Sequence, residues 1–366
     1  MPDPRSILIA CDKFKGSLDA RAACEAIARG LGKKFPDAEV IIHPIADGGE
    51  GFAAALETPL DGRWVETDTH DALGRPVRGR YLLADGPLAA LEMAEASGMW
   101  RIRADERDIL RSNTFGTGEL MRHAIENIGA RQLVIGLGGS ATNDGGAGMA
   151  AALGVRFLDA NGGELPPTPD GLFGKLAHID FTRRIELPEI TVACDVDSPL
   201  LGPLGATRVF GPQKGADENT NPILESVLES LARLSEGLET AIRPGAGAAG
   251  GLGFGLMRFA NATLVPGFDW LADLTKLEQH VARADLIVTG EGSLDAQSLA
   301  GKGPVAIAKM ARAHGKPVVA FCGKADAEIR AADVFDQVTD LAATGLPVET
   351  LIARAAELLE SAAAES

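Results

Sequence analysis

Five segments at the ends of short apolar runs carry acidic side chains in the company of glycine, serine or lysine. They are Asp12–Ser17 (DKFKGS), Asp47–Gly51 (DGGEG), Gly136–Gly148 (GLGGSATNDGGAG), Asp195–Leu201 (DVDSPLL) and Glu291–Gly303 (EGSLDAQSLAGKG). Taken singly, an acid in such a place is a helix cap or a turn residue. Five together point to a polar catalytic cleft. Phosphoryl transfer needs this mixture: backbone N–H groups and cations for the phosphates, carboxylates for Mg²⁺, and one carboxylate to take a hydroxyl proton.

The segment from Gly136 carries the strongest local signal. A strand that runs through glycines into a helix leaves N–H donors at a helix N-terminus, which favours phosphate. Ser140, Thr142 and Asn143 add neutral hydrogen-bonding groups, and Asp144 adds a carboxylate that needs a cation or a proton to handle beside phosphate. The alternative for this loop is a tight turn with Asn143 or Asp144 as the cap. The same residues contain G-x-G-x-x-A at Gly136, Gly138 and Ala141, with Asp159 at the spacing of a ribose-binding acid, so an NAD-dependent oxidoreductase is the competing class. A non-catalytic anion sensor is a third. Lys13 and Lys15 stand beside an expected helix N-terminus, a favourable place for a carboxylate or phosphate. No GxxxxGK[ST], GxSxG or HExxH occurs, which disfavours a Walker-type NTPase, an α/β-hydrolase and a zincin.

The elements that must position these residues are legible as a pattern. Strands are expected at Ile7–Cys11, Val40–Ala46, Leu133–Leu137, Ile190–Cys194, Leu286–Gly290 and Val318–Cys322, runs of Val, Ile, Leu and Ala suited to burial on both faces. A helix is expected through Leu18, Ala23, Ile27 and Leu31 with Ser17 as its cap. Another runs through Leu224, Val227, Leu228, Leu231, Leu234 and Leu238, opened by Thr220 with Pro222 in its first turn. Pro304–Ala313 and Val348–Leu359 are two more, and Arg63–Glu92 reads as antiparallel strands. The class is α/β with a largely parallel sheet. The glycines between Gly245 and Gly255 are interleaved with Leu252 and Phe254, which favours close packing over a hinge.

Composition narrows the function further. The 366 residues carry 35 Lys and Arg against 51 Asp and Glu, a net charge of -16. With no basic stripe beyond Lys33-Lys34, nucleic acid and anionic membrane are excluded as partners. Apolar residues at 46% suit a soluble chain with its own core, and no run reaches membrane-span length. Cys11, Cys24, Cys194 and Cys322 form no CxxC pair, and Cys11, Cys194 and Cys322, near the ends of apolar runs, read as buried thiols on core strands. With no signal-peptide core, a cytoplasmic protein is expected.

These segments resemble the bacterial glycerate kinase family, the type-1, 2-phosphoglycerate-forming kind. The resemblance is carried by DKFKGSL from Asp12, IADGGEG from Ile45, NTFGTGEL from Asn113 and GLGGSATNDGGAG from Gly136. It continues in ACDVDSPLLGPLGAT from Ala193, FGPQKGA from Phe210, GAGAAGGLGFGL from Gly245 and TGEGSLDAQSLAGKGP from Thr289. It implies two α/β domains: a flavodoxin-like (Rossmann-like) parallel sheet built from both chain ends, residues 1–60 plus 280–366, and an inserted mixed α/β domain, residues 61–279. ATP and D-glycerate would meet in the cleft between them with Mg²⁺, in a monomer or homodimer. The expected roles follow. Gly138, Gly139, Ser140, Thr142, Asn143, Asp144 and Gly145 cradle the ATP phosphates, with Glu291, Ser293, Asp295 and Lys302 also on the cofactor. Lys13, Lys15 and Ser17 hold glycerate. Asp195 is the preferred base, with Asp47 and Lys13 as further catalytic residues, and Asp144 and Glu291 as metal ligands.

Overall fold

The central apolar runs pair as strands that are covered on both faces, as β1 shows. A computed structural model describes residues 3–46, 48–295, 298–300 and 303–366; Asp47 and Lys302, for which catalytic and cofactor roles are expected, lie outside these described residues. In chain order the strands are β1 (Ser6–Cys11), β2 (Glu39–Ile42), β3 (Arg63–His70), β4 (Pro76–Leu83), β5 (Leu88–Glu92), β6 (Gln132–Gly136), β7 (Arg156–Leu158), β8 (His178–Asp180), β9 (Glu189–Ala193), β10 (Thr263–Val265), β11 (Leu286–Leu294), β12 (Val318–Ala325) and β13 (Gln337–Asp340). The chain divides into two compact units: Met1–Asp47, Ala54–Leu60 and Phe268–Ser366 form the first, and Gly48–Ala53 with Asp61–Gly267 the second. The first unit thus resumes at Phe268, earlier than residue 280, and Gly48–Ala53 belongs to the second.

The first unit holds a fully parallel sheet in the order β13-β12-β11-β1-β2. Numbered along its own chain this is 2-1-3-4-5, the flavodoxin-like order, with its topological switch point between β1 and β11. Ile7, Ile9 and Cys11 point into a core shared with Ile27 and Leu31 of the helix Ala20–Lys34 and with Leu359 and Ala363 of the last helix. Leu8 and Ala10, on the other face, are equally buried. This two-sided cover explains the unbroken apolar runs. The N-cap of Ala20–Lys34 is Asp19, whose carboxylate accepts from the Ala22 N–H at 2.7 Å, and not Ser17. The last helical pattern is broken at Arg354 into Val348–Ala353 and Ala355–Glu365.

The second unit holds a six-stranded mixed sheet, β10-β9-β6-β5-β4-β3. β10, β9, β6 and β5 run parallel, and β5, β4 and β3 are antiparallel neighbours. β7 and β8 form a separate antiparallel ribbon. Helix Asn221–Leu234, with Pro222 in its first turn, buries Leu224, Val227, Leu228 and Leu231. Leu238 belongs to a separate short helix, because the chain turns at Glu236 through a left-handed conformation. Among the described residues no helix is long and apolar enough to cross a membrane.

Candidate functional site

In the second unit, three of the glycine- and acid-bearing segments converge at the carboxyl ends of β6 and β9. The Leu137 N–H donates to the Gly48 carbonyl at 3.0 Å. Gly138 lies so close to the next segment that a Cβ there would sit 2.5 Å from the Gly49 Cα, so only glycine fits. Asp195 lies two residues past the end of β9 and is half-buried; its Oδ1 accepts from the Gly267 N–H at 3.0 Å. That contact fixes the carboxylate at the residue where the chain leaves this unit. Glu92, which the sequence reading did not single out, binds the N–H groups of Gly51 and Ala53 at 2.9 Å each and so caps the helix Phe52–Glu57. Burial pushes its pKa up.

The helix after the Gly136 loop, Ala147–Ala152, does not offer open donors. Asp144 is fully buried, and its Oδ2 accepts from the Thr114 N–H and hydroxyl at 2.8 Å each and from the Gly148 N–H at 3.0 Å. Its Oδ1 accepts from the Gly146 N–H at 3.1 Å, and the Thr114 hydroxyl accepts from the Met149 N–H at 2.9 Å. One carboxylate thus ties together the starts of two helices, Phe115–Glu126 and Ala147–Ala152, where helix dipoles favour negative charge. Burial still outweighs these donors and raises its pKa. The expected metal role of Asp144 therefore gives way to the capping role, because neither oxygen reaches the surface. Thr142, Asn143 and Gly145 are buried as well. The Asn143 amide donates to Thr207 Oγ1 at 3.0 Å, while its oxygen and the Thr142 hydroxyl are buried without a partner among the described residues. Of the predicted phosphate loop, Gly138 and Gly139 reach the surface and Ser140 stands just beneath it.

Lys214 escaped the sequence reading although it lies in FGPQKGA. It is 2% exposed, and its Nζ donates to the Thr142 carbonyl at 2.8 Å. Desolvation lowers its pKa to about 7 against an upward pull from Asp144. Unfolded, this lysine keeps its proton to about pH 10.5. Between the two values the unfolded chain binds more protons, so this group makes stability rise with pH from about 7 to about 10.5. Urea midpoints at about pH 7 and pH 9.5 should show that rise in the unsubstituted protein and not in Lys214→Met; equal rises in both would rule out Lys214 as the source.

The loop packs against a kink inside Ala248–Phe259. Ala249, Gly250 and Gly251 are successive left-handed residues, with Gly250 at φ 69°. A Cβ at Gly250 would lie 1.9 Å from the Thr142 carbonyl oxygen. The Gly245–Gly255 glycines therefore serve close packing. Gly250→Ala combines left-handed strain of roughly 1–2 kcal/mol with overpacking of roughly 1–3 kcal/mol. Its denaturant midpoint should fall accordingly, and an unchanged midpoint would contradict this packing.

In the first unit, a second set gathers where β1 and β11 end. The Asp12 N–H donates to the Gly290 carbonyl at 2.8 Å, and the Asp12 Oδ1 accepts from the Lys13 N–H at 2.6 Å with Lys13 Nζ at 3.6 Å. Asp12 is almost buried and, although its segment stands out in the sequence, it was given no role there. Glu291 lies within β11, which is longer than expected, and its Oε1 accepts from the Ser298 hydroxyl at 2.6 Å. Ser298 also accepts from the Asp295 N–H at 3.2 Å, so it links Glu291 to Asp295. Ser293 stands in register with Lys324 of β12. Lys15 is exposed, whereas the Ser17 hydroxyl is engaged, donating to the Ile352 carbonyl at 2.8 Å. Among the described residues no three His, Cys, Asp or Glu side chains are grouped to hold a metal.

The dinucleotide reading of the Gly136 loop fails on topology. Its fingerprint needs a βαβ unit whose second strand returns beside the first. Here β7, which follows the helix, pairs with β8 away from β6, and Asp159 closes a turn by accepting from the Asn161 and Gly163 N–H groups at 2.8 Å each.

A family model described as the glycerate kinase family matches residues 7–366. The chain is 42% identical to a glycerate kinase of Bacillus subtilis (strain 168) over 366 residues, covering 98% of this chain and 95% of that one. It is 42% identical to a glycerate 2-kinase of Escherichia coli (strain K12) over 324 residues, 87% of this chain and 84% of that one. A crystal structure assigned as glycerate kinase 2 from Salmonella typhimurium LT2 superposes with a TM-score of 0.85 at 38% identity, covering 98% and 96% of the two chains. Matches of this length, together with the strand-end segments described above, make the chain a member of the glycerate kinase family.

Proposed function

We propose that this chain transfers the γ-phosphoryl group of ATP to a hydroxyl of D-glycerate, the 2-hydroxyl being favoured, as a cytoplasmic enzyme. The observation that carries the reading is the match over residues 7–366, with a glycerate 2-kinase among the relatives. In this reading Asp195 accepts the hydroxyl proton as the oxygen bonds to the γ-phosphorus and the bond to the β-phosphate bridging oxygen breaks. Lys13, Lys15 and the N–H groups of Gly138–Ser140 oppose the negative charge of the two substrates locally, which a chain of net charge -16 requires.

Mg²⁺ fits the residues present, because it binds through one or two carboxylates plus phosphate oxygens and needs no all-protein cage. Asp12, just past the end of β1, and Glu291, within the adjacent strand β11, are the carboxylates that would hold it. When bound, it neutralises charge on the phosphates. ADP release measured with ATP and D-glycerate tests the proposal: stoichiometric ADP and phosphoglycerate support it, and no ADP formation overturns it.

A further inference from the structure

Outside the carboxyl ends of β1, β11 and β12 the first unit contains a cavity of about 280 Å³. Its walls are mostly apolar, with Phe14, Leu341, Leu351 and Ile352 among them, and its polar side chains are Lys15, Ser17, Ser293 and Lys324. Val348 and Ile352, on the same short helix, are 68% and 44% exposed. Large apolar groups left in water beside two lysines are not explained by folding alone. The cavity also has the right address, since open parallel sheets take ligands outside the strand carboxyl ends at the switch point, here between β1 and β11.

Glycerate does not suit these walls. A three-carbon hydroxy acid is polar on every atom but its carbon chain, and an apolar slot would strip its hydration without returning hydrogen bonds. An aromatic ring carrying a polyphosphate does suit them: the ring occupies the slot and the phosphates meet the ammonium groups. We infer that this cavity is the purine subsite of the nucleotide, with Lys15 directed to the phosphates and not to glycerate. The inference rests on the ATP-dependent reading and deepens it.

The test uses the full chain and two substitutions, Ile352→Glu, which puts a carboxylate at the slot, and Ala342→Leu, which fills it. Each is expected to raise the KM for ATP roughly tenfold or more, with the KM for D-glycerate changed by less than about twofold. Inorganic tripolyphosphate, which has no ring, should inhibit these variants and the unsubstituted enzyme equally well, while Lys15→Ala weakens its inhibition. Unchanged KM values for ATP in both folded variants would overturn the slot. A change of sedimentation coefficient without a change of KM would also overturn it, assigning the face to a second copy of the chain. No ATP turnover by the unsubstituted enzyme would instead overturn the kinase reading, so the two failures are distinguishable.

Discussion

Asp195→Asn is expected to lower kcat by roughly two to four powers of ten, the range for removing a positioned general base. The substitution is chosen to spare the fold. The asparagine oxygen still accepts from the Gly267 N–H, the contact that holds the native side chain at 3.0 Å. The unfolding midpoint should therefore stay close to that of the unsubstituted protein, and the KM values should change far less than kcat. A kcat within a few-fold of normal would exclude Asp195 as the base and shift attention to the acids at the end of β1 and β11.

Asp144→Ala is expected to have the largest effect on stability. It removes the acceptor for the Thr114, Gly146 and Gly148 N–H groups, all buried, and takes the counter-charge from Lys214. Each stranded buried donor costs about 1–3 kcal/mol. With partial relaxation the total is about 3–5 kcal/mol, a melting shift of about 4–7 °C for a chain of this size. Asp144→Asn should fall between, because it keeps one acceptor and turns the other position into a donor facing donors. A calorimetric midpoint unchanged in Asp144→Ala would contradict the capping role.

The first sheet was legible because its strands had to be apolar on both faces, as Ile7–Cys11 and Val318–Cys322 show. β13, with the sequence QVTD, escaped notice because an edge strand can be half polar. The glycine at position 250 declared itself by its neighbours, but its reason, the Thr142 carbonyl, is more than 100 residues away in sequence. The same distance problem affects the acids. From sequence, Asp144 reads equally as a cap or a metal ligand; the deciding partner, Thr114, lies 30 positions earlier. Ser17 and Asp19 are both credible caps in a linear string. The tight Phe14–Leu18 turn leaves Ser17 outside the helix, where it binds Ile352, and gives the cap to Asp19. Motif positions could thus be found by type and spacing, whereas burial and the identity of distant partners could not.

Phosphorus NMR of the products formed from ATP and D-glycerate distinguishes the possible outcomes of the proposed transfer. ADP and 2-phosphoglycerate are expected in equal amounts. Unreacted ATP would contradict the proposed activity, and 3-phosphoglycerate as the product would contradict the choice of hydroxyl.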